Sequence, residues 1–336
     1  MLVDTYKRPI KDLRISVTDR CNFRCTYCMP LEEYVWIDRQ DILTFEEIER
    51  VARIFVRLGA EKIRVTGGEP LVRKNLELLI SQLARIEGLK DICLTTNGAL
   101  LRAHATALKA AGLHRCNVSV DSLDPDKFKQ ITGRGNLADV LDGIEAAREA
   151  GISPIKLNAV IERGVNEDDI IPLVEFSRSQ GFPIRFIEYM DVGNSNHWIS
   201  KRMVPAVEIL ERINSGFPVR RVGRTDGAPA VAYEFVDGRG DIGIIASVTE
   251  PFCGDCSRAR LTADGKLVTC LFADRGYDLK GLLRGGATDE EMITKISRVW
   301  TGREDRYSEQ RLTAMNSPGG YHPNEHRKIE MITLGG

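Results

Sequence analysis

From Leu13 to Met190, short runs of alternating apolar and polar residues are separated by longer segments with apolar positions three and four residues apart. The longer segments, such as residues 45–55 and 136–150, are typical of amphipathic helices, and the short runs are typical of strands. Their regular alternation predicts six βα units and a parallel sheet. We predict the six strands at residues 14–18, 62–66, 92–96, 117–121, 155–160 and 184–190.

The polar residues of these strands share one face. Parallel strands that are buried on both faces do not usually alternate in this way. If the strands curl into a barrel wrapped by helices, the polar side chains line its interior. The sequence therefore predicts a polar cavity inside the barrel. Its predicted lining is Arg14, Ser16, Thr18, Arg64, Thr66, Thr95, Asn117, Ser119, Asp121, Lys156 and Asn158.

Three cations, Arg14, Arg64 and Lys156, lie on this interior face. An enclosed cation is costly unless an anion or a carboxylate meets it. Pairing with a structural carboxylate is the alternative for each of them alone. Together they favour a polyanionic ligand such as a triphosphate. The phosphate-loop pattern G-x4-G-K-[ST] is missing, which argues against a P-loop enzyme.

The βα pattern stops beyond Asp191. We predict one helix over residues 204–214 and antiparallel strands over 219–222, 231–236 and 242–247. The predicted fold is therefore α/β, an incomplete (β/α)6 TIM-type barrel at residues 1–200. A smaller C-terminal part with antiparallel strands, residues 201–336, closes it.

Cys21, Cys25 and Cys28 follow the first predicted strand with the spacing C-x3-C-x2-C. Reactive groups of a βα barrel lie at the carboxyl ends of its strands, as this loop does. Structural zinc sites normally have four ligands, whereas three thiolates suit a [4Fe–4S] cluster with one open iron. A redox disulfide and a degenerate zinc knuckle are the alternatives.

A second triplet, Cys253, Cys256 and Cys270, has the spacing C-x2-C-x13-C. A zinc ribbon is the alternative here, but the second half-site offers a single cysteine. This triplet also leaves one coordination position open. Arg258 and Arg260 follow Cys256 and could place two cations beside that position.

The turn Thr66-Gly67-Gly68-Glu69-Pro70 follows the second predicted strand. Its glycines allow the backbone to approach a ligand closely, although a tight turn also explains them.

The composition excludes some partners. The chain of 336 residues has 47 Lys and Arg against 48 Asp and Glu. This balance favours neither nucleic acid nor an anionic membrane as a partner. No stretch approaches the ~20 apolar residues of a membrane span, so we expect a cytoplasmic protein.

The first triplet together with the Gly-Gly-Glu-Pro turn resembles the radical S-adenosylmethionine (SAM) superfamily. With the run Phe-Cys-Gly-Asp-Cys-Ser-Arg-Ala-Arg-Leu at residues 252–261, and with Cys270-Leu271-Phe272, nearly the whole chain resembles the GTP 3′,8-cyclase family. That family begins molybdenum cofactor biosynthesis. Gly335-Gly336 is similar to the family's double-glycine tail, which the resemblance places in the active site.

The resemblance implies two [4Fe–4S] clusters, with SAM bound at the first and the guanine of GTP bound at the second. It assigns the first cluster to Cys21, Cys25 and Cys28, and the second to Cys253, Cys256 and Cys270. The implied SAM contacts are Tyr27, Gly68, Ser119 and Met190. The implied GTP contacts are Arg14, Arg64, Thr95, Lys156, Arg258 and Arg260.

The resemblance also implies the reaction, a lyase reaction in which the first triplet, Arg258 and Arg260 are catalytic. The 5′-deoxyadenosyl radical removes hydrogen from ribose C3′, and C3′ then attacks guanine C8. The implied partners are an electron donor such as flavodoxin and a downstream cyclic pyranopterin monophosphate synthase, with a homodimer as one candidate assembly. The alternatives are a radical SAM peptide-modifying enzyme with an auxiliary cluster and a non-enzymatic zinc protein.

Overall fold

The computed structural model describes residues 2–30, 34–225, 227–318, 320–325 and 327–335. In these residues, one sheet has the strand order β12-β11-β10-β1-β2-β3-β4-β5-β6-β9-β8-β7. The strands are β1 Asp12–Ser16, β2 Lys62–Thr66, β3 Asp91–Thr96, β4 Arg115–Ser119, β5 Ile155–Ile161, β6 Ile184–Glu188, β7 Val219–Gly223, β8 Val231–Phe235, β9 Asp241–Ile245, β10 Arg258–Leu261, β11 Lys266–Val268 and β12 Tyr277–Asp278.

Helices follow the strands as predicted, and α4 and α5 both lie between β4 and β5. In α1, Thr44 and Glu47 form a capping box, which satisfies free backbone N–H groups at the helix start. The helices are α1 Phe45–Arg57, α2 Leu76–Ala84, α3 Leu101–Ala110, α4 Pro125–Thr132, α5 Leu137–Glu149, α6 Ile170–Gln180, α7 Ala206–Gly216, α8 Lys280–Arg284, α9 Asp289–Thr301, α10 Tyr307–Met315 and α11 Met331–Leu334.

The strands β1 to β6 are mutually parallel and adjacent in chain order. The sheet has β12 and β7 at its two ends and is not closed. The prediction of an incomplete (β/α)6 barrel is therefore confirmed. The apolar residues of the alternating strands, such as Ile15, Val65 and Leu157, are fully buried in one core cluster with the helices.

The C-terminal strands join the barrel's own sheet, which the sequence pattern did not predict. β7, β8 and β9 pair antiparallel as expected, but β9 also pairs parallel to β6. On the other side, β10 pairs parallel to β1 and antiparallel to β11. Every residue of β10 is buried although two of its four residues are arginines, so the segment lacks the apolar pattern of a core strand. The division at residue 200 stays a prediction.

Three predicted strands end two residues earlier than expected, at Ser16, Ser119 and Glu188. Asp121 and Met190 consequently lie in the loops that follow β4 and β6. These loops leave the carboxyl end of the barrel, where functional groups of such folds are found. None of the helices in the described parts of the chain has the length and apolar character of a membrane span.

Candidate active site

A cavity of about 310 Å³ lies inside the barrel, and both cysteine triplets line it. Tyr27, Gly68, Ser119 and Met190 line it as well. All eight cysteines are free of disulfides. Two loops that are far apart in the sequence therefore face one chamber. The arginines in its wall are Arg14, Arg64, Arg185, Arg258, Arg260 and Arg303.

The first cysteine loop is held by backbone hydrogen bonds that Cys28 N and Met29 N donate to Cys25 O, at 3.0 and 2.8 Å. Burial, followed by the charge of Cys28, raises the pKa of the Cys25 thiol well above its ordinary value. Burial, with the charges of Cys21 and Glu330, raises the pKa of Cys28 to about 12. Because the pKa values of these thiols are raised, the thiol protons are released most readily when a metal binds to the sulfurs.

The Gly-Gly-Glu-Pro turn packs directly on the cysteine loop. Gly68 N donates to Thr18 O at 2.7 Å, and Glu69 N donates to Arg20 O at 2.8 Å. A Cβ at Gly68 would lie 2.4 Å from Arg20 O, which no side chain tolerates. Glycine is therefore required here because the two backbones touch.

The Glu69 carboxylate is buried beside the first cysteine loop and joins its own turn to the end of β3. It accepts hydrogen bonds from Leu71 N at 3.0 Å, Thr96 Oγ1 at 2.7 Å and Asn97 N at 2.7 Å. Burial raises the pKa of Glu69 to about 7, against the lowering effect of these hydrogen bonds. This acid therefore changes charge close to neutral pH.

Tyr27 and Asp121 connect the cysteine loop to the end of β4. Tyr27 donates its hydroxyl hydrogen to Asp121 Oδ2 at 2.8 Å, and Val160 N donates to Asp121 Oδ1 at 2.8 Å. Burial raises the pKa of Asp121 to about 6. These contacts hold the Tyr27 ring in the cavity wall.

Three arginines lie side by side across neighbouring strands. Arg14 on β1 is in register with Arg260 on β10 and with Arg64 on β2. Burial, together with the charges of Arg260 and Arg64, lowers the pKa of Arg14 well below its ordinary value. Arg64 Nη1 donates to Thr95 Oγ1 at 3.2 Å, while Nε of Arg14 and Nε of Arg64 are buried and have no hydrogen-bond partner among the residues that the structure describes. Such a row is suited to an anion with several negative oxygens.

The second triplet differs from the first because guanidinium groups contact one of its thiols. Arg258 Nη2 and Arg303 Nη2 donate to Cys256 Sγ at 3.1 and 3.2 Å. Although burial raises it, the charges of Arg258 and Arg303 lower the pKa of Cys256 to about 6. The Cys256 thiol is therefore mostly deprotonated at neutral pH. In the described residues, no group of three or more His, Cys, Asp or Glu could hold a single metal ion.

Comparison with known proteins decides the family. Residues 15–177 match the model of the radical SAM superfamily, and residues 182–309 match the molybdenum cofactor synthesis C model. A GTP 3′,8-cyclase of Acidothermus cellulolyticus is 48% identical over 99% of this chain and 98% of its own length. One from Xanthomonas axonopodis is 45% identical, with 99% and 98% covered. The chain belongs to the GTP 3′,8-cyclase family.

The fold is shared with a protein of known structure. Streptococcus suis SuiB, solved with S-adenosylmethionine bound, matches with a TM-score of 0.60 at 14% identity, over 91% of this chain and 68% of that one. Radical SAM membership implies SAM and a [4Fe–4S] cluster as cofactors. The three free thiols of the first loop are the donor set that such a cluster needs.

Lys156 and Arg185 are two positions at which the predicted and the observed cavity linings differ. Lys156 shares the inner face of β5 with Asn158, but it is not in the cavity wall, so its role as a GTP contact stays a prediction. Arg185 on β6 lines the cavity and was missed. Arg185 could have been predicted from the sequence, because Ile184-Arg185-Phe186 alternates apolar and polar residues as the other strands do.

The C-terminal segment of this GTP 3′,8-cyclase family member enters the barrel. Gly335 O accepts a hydrogen bond from Arg260 Nη1 at 3.3 Å. A Cβ at Gly335 would lie 2.4 Å from Thr66 Cγ2, so only glycine fits at this position. Gly336, the second residue of the predicted double-glycine tail, lies outside the described residues.

A buried ion cluster anchors this segment beside the end of β6. Asp191, next to Met190, pairs with Arg311 and with Lys328, the latter at 3.1 Å, and all three side chains are at most 2% exposed. Tyr307 donates its hydroxyl hydrogen to Asp191 Oδ2 at 2.6 Å. Although burial raises it, Arg311 and Lys328 hold the pKa of Asp191 below its ordinary value.

Replacing Asp191 by asparagine is expected to lower the free energy of unfolding by about 3–5 kcal/mol, because two buried cations lose their carboxylate. Urea unfolding of the purified chain measures this difference. The control is Asp142→Asn, which breaks an exposed pair with Arg102, 55% and 45% exposed respectively, and is expected to cost less than about 1 kcal/mol. Equal losses in the two variants would contradict the anchoring role of Asp191.

Proposed function

We propose that this chain is a radical SAM GTP 3′,8-cyclase, a lyase that converts GTP to (8S)-3′,8-cyclo-7,8-dihydroguanosine 5′-triphosphate at the start of molybdenum cofactor biosynthesis. One observation carries the proposal. Two cysteine triplets line the same cavity, and the row of Arg260, Arg14 and Arg64 lies in its wall. A ligand bound at one triplet would therefore lie within reach of a ligand bound at the other.

On the SAM side, Cys21, Cys25 and Cys28 would hold a [4Fe–4S] cluster, which supplies an electron for cleavage of the SAM sulfonium. The proposed SAM contacts are Tyr27, Gly68, Ser119 and Met190, all in the cavity wall. The Tyr27–Asp121 hydrogen bond would keep the tyrosine ring oriented. Gly68 would bring backbone to the methionyl end, where a larger residue cannot fit.

On the GTP side, the proposed contacts are Arg14, Arg64, Thr95, Lys156, Arg258 and Arg260. The three aligned arginines repel each other, and burial removes the water that would screen them. A triphosphate supplies the missing negative charge, and guanidinium groups bind its oxygens in bidentate fashion. The fixed row then orients the ribose and base, and the enclosed chamber excludes water from reactive species.

The second triplet is proposed to hold another [4Fe–4S] cluster. Support comes from its three free thiols in the cavity wall and from the lowered pKa of Cys256. Its open iron would serve as a ligand site for guanine. A cytoplasmic location is proposed as well, because eight free cysteines are typical of a reducing compartment. Flavodoxin as donor, the downstream synthase and a homodimer stay predictions.

The proposal is tested by incubating anaerobically reconstituted, reduced protein with SAM and GTP, followed by mass analysis of the products. We expect 5′-deoxyadenosine and a cyclised guanine nucleotide in equal amounts. Deoxyadenosine without any nucleotide product, at saturating GTP, would refute the cyclase activity. Zinc without sulfide in the anaerobically purified protein would refute the radical SAM chemistry altogether.

SAM binding is expected to depend on the charge of Glu69. If the ionised Glu69 carboxylate receives the methionyl amino group, protonation below pH 7 removes this contact. The ratio of SAM affinities of the native protein and of Glu69→Gln should then be constant above about pH 8. It should fall by up to about tenfold per pH unit below pH 7, where burial keeps Glu69 protonated.

Anaerobic calorimetry of both proteins between pH 6 and pH 8.5 provides this ratio. The titration of SAM itself cancels in the comparison, since both proteins bind the same ligand. A ratio that does not change with pH would show that the ionised Glu69 carboxylate does not contact SAM.

A further inference from the structure

Arg303 is a buried cation that contacts the second cysteine triplet and that the sequence did not single out. Its side chain is 1% exposed. Its Nη1 donates to Cys256 O at 2.7 Å and its Nη2 donates to Cys256 Sγ at 3.2 Å. The guanidinium therefore donates hydrogen bonds to both the backbone oxygen and the sulfur of the same cysteine.

Carboxylates fix the other side of this guanidinium. Arg303 Nε lies 3.1 Å from Asp305 Oδ2, and Nη1 lies 3.5 Å from Asp4 Oδ2, whose side chain is fully buried. Arg8 joins the cluster, because its Nε pairs with Asp4 at 2.5 Å and its Nη1 donates to Cys253 O at 2.8 Å. The N-terminal segment and the residues after α9 together form a rigid support for the loop of Cys253 and Cys256.

Among the described residues, Arg258, the other cation on Cys256 Sγ, pairs with no carboxylate. Besides the thiol, its guanidinium donates to Gly227 O at 3.1 Å and lies over the Phe252 ring. Arg258 is also a proposed GTP contact. A phosphate group that draws Arg258 away would leave Arg303 in place, because the carboxylates of Asp4 and Asp305 hold Arg303.

We propose that Arg303 is a positioning residue for the second iron–sulfur cluster. Its fixed guanidinium neutralises the Cys256 thiolate and raises the reduction potential of the cluster, whether or not GTP has engaged Arg258. This inference rests on the proposed second cluster. Cations and N–H donors at the cysteine sulfurs stabilise the more negative, reduced state of such clusters. Residues that support metal ligands in this way also determine how tightly the metal is retained.

The test compares Arg303→Gln, Asp4→Asn and the control Arg298→Gln, an exposed arginine on α9. Each protein is reconstituted as the full chain, its iron is counted, and the midpoint potential of the second cluster is measured by redox titration followed by electron paramagnetic resonance. Arg303→Gln removes a positive charge and should lower the potential. Asp4→Asn removes a negative charge behind the guanidinium and should raise it.

The opposite signs separate a charge effect from damage to the fold, which would disturb both variants in the same direction. Loss of iron to a chelator should be about 10–100-fold faster in Arg303→Gln and unchanged in Arg298→Gln. The SAM-induced change in the spectrum of the first cluster is an internal control and should persist in all variants.

Three results would overturn the inference in distinguishable ways. If the native protein binds about four irons instead of about eight, no second cluster exists, and the inference falls together with that part of the proposed function. If the native protein binds about eight irons, but Arg303→Gln has native potential and iron retention, the second cluster stands and Arg303 has no positioning role. Shifts of equal sign in Arg303→Gln and Asp4→Asn would equally exclude a charge effect.

Discussion

Replacing Cys270 by serine is expected to abolish GTP cyclisation while 5′-deoxyadenosine is still released. The first triplet is untouched by this change, so SAM cleavage keeps its source of electrons. Cys270 lines the same cavity as that triplet, and burial raises the pKa of its thiol to about 12. A serine hydroxyl is a much weaker ligand for iron. We expect the rate of cyclisation to fall by at least about a hundredfold. Replacing a residue that only supports a metal ligand usually costs about 10–100-fold, and the loss of a ligand should cost more.

Mass analysis of both products under anaerobic conditions measures this effect. Cys116→Ser is the matched control, because Cys116 is a buried cysteine of β4 outside both triplets and should retain cyclisation. Loss of SAM cleavage in Cys270→Ser, with GTP still bound to iron, would reverse the assignment of the two triplets.

Replacing Arg64 by alanine is expected to weaken GTP binding by about 10–100-fold. This is the effect of losing a charged hydrogen bond, worth about 1.5–3 kcal/mol. SAM affinity should change by less than about threefold, because Arg64 lies in the arginine row and not at the cysteine loop. Anaerobic calorimetry with each ligand measures both affinities.

The matched control for Arg64 is Arg57→Ala. Arg57 is 48% exposed and pairs with Glu290 on the surface, so neither ligand should bind differently. Equal losses of GTP and SAM affinity in Arg64→Ala would show that Arg64 supports the cavity as a whole and does not contact the triphosphate.

The alternating strands were the part of the fold that the sequence predicted best. Ile15 and Val17 alternate with Arg14 and Ser16, and this period of two follows directly from strand geometry. Because the pattern is local, it also predicted cavity-lining residues on each of β1 to β5, although Ser16 and Thr18 were predicted to line the cavity and do not. Arg185 could have been included by the same rule, whereas Lys156 shows that a shared face does not determine depth along a strand.

The strand β10 was not predictable by the same rule. Its sequence, Arg-Ala-Arg-Leu, is short and half cationic, yet all four residues are buried against β1 and β11. Burial is tolerable only because Arg258 and Arg260 face the cavity and the second triplet. The partners that make this strand possible lie elsewhere in the chain.

The sequence by itself determined the six βα units, the two thiol triplets and the Gly-Gly-Glu-Pro turn after the second strand, because each depends on residue types at short spacing. Only the tertiary structure decided that the triplets share one chamber, that Arg14, Arg64 and Arg260 stand in register, and that Arg303 reaches Cys256. These pairings join segments far apart in the chain. Their geometry arises from how the C-terminal strands dock on β1 and β6, and no local periodicity encodes that docking.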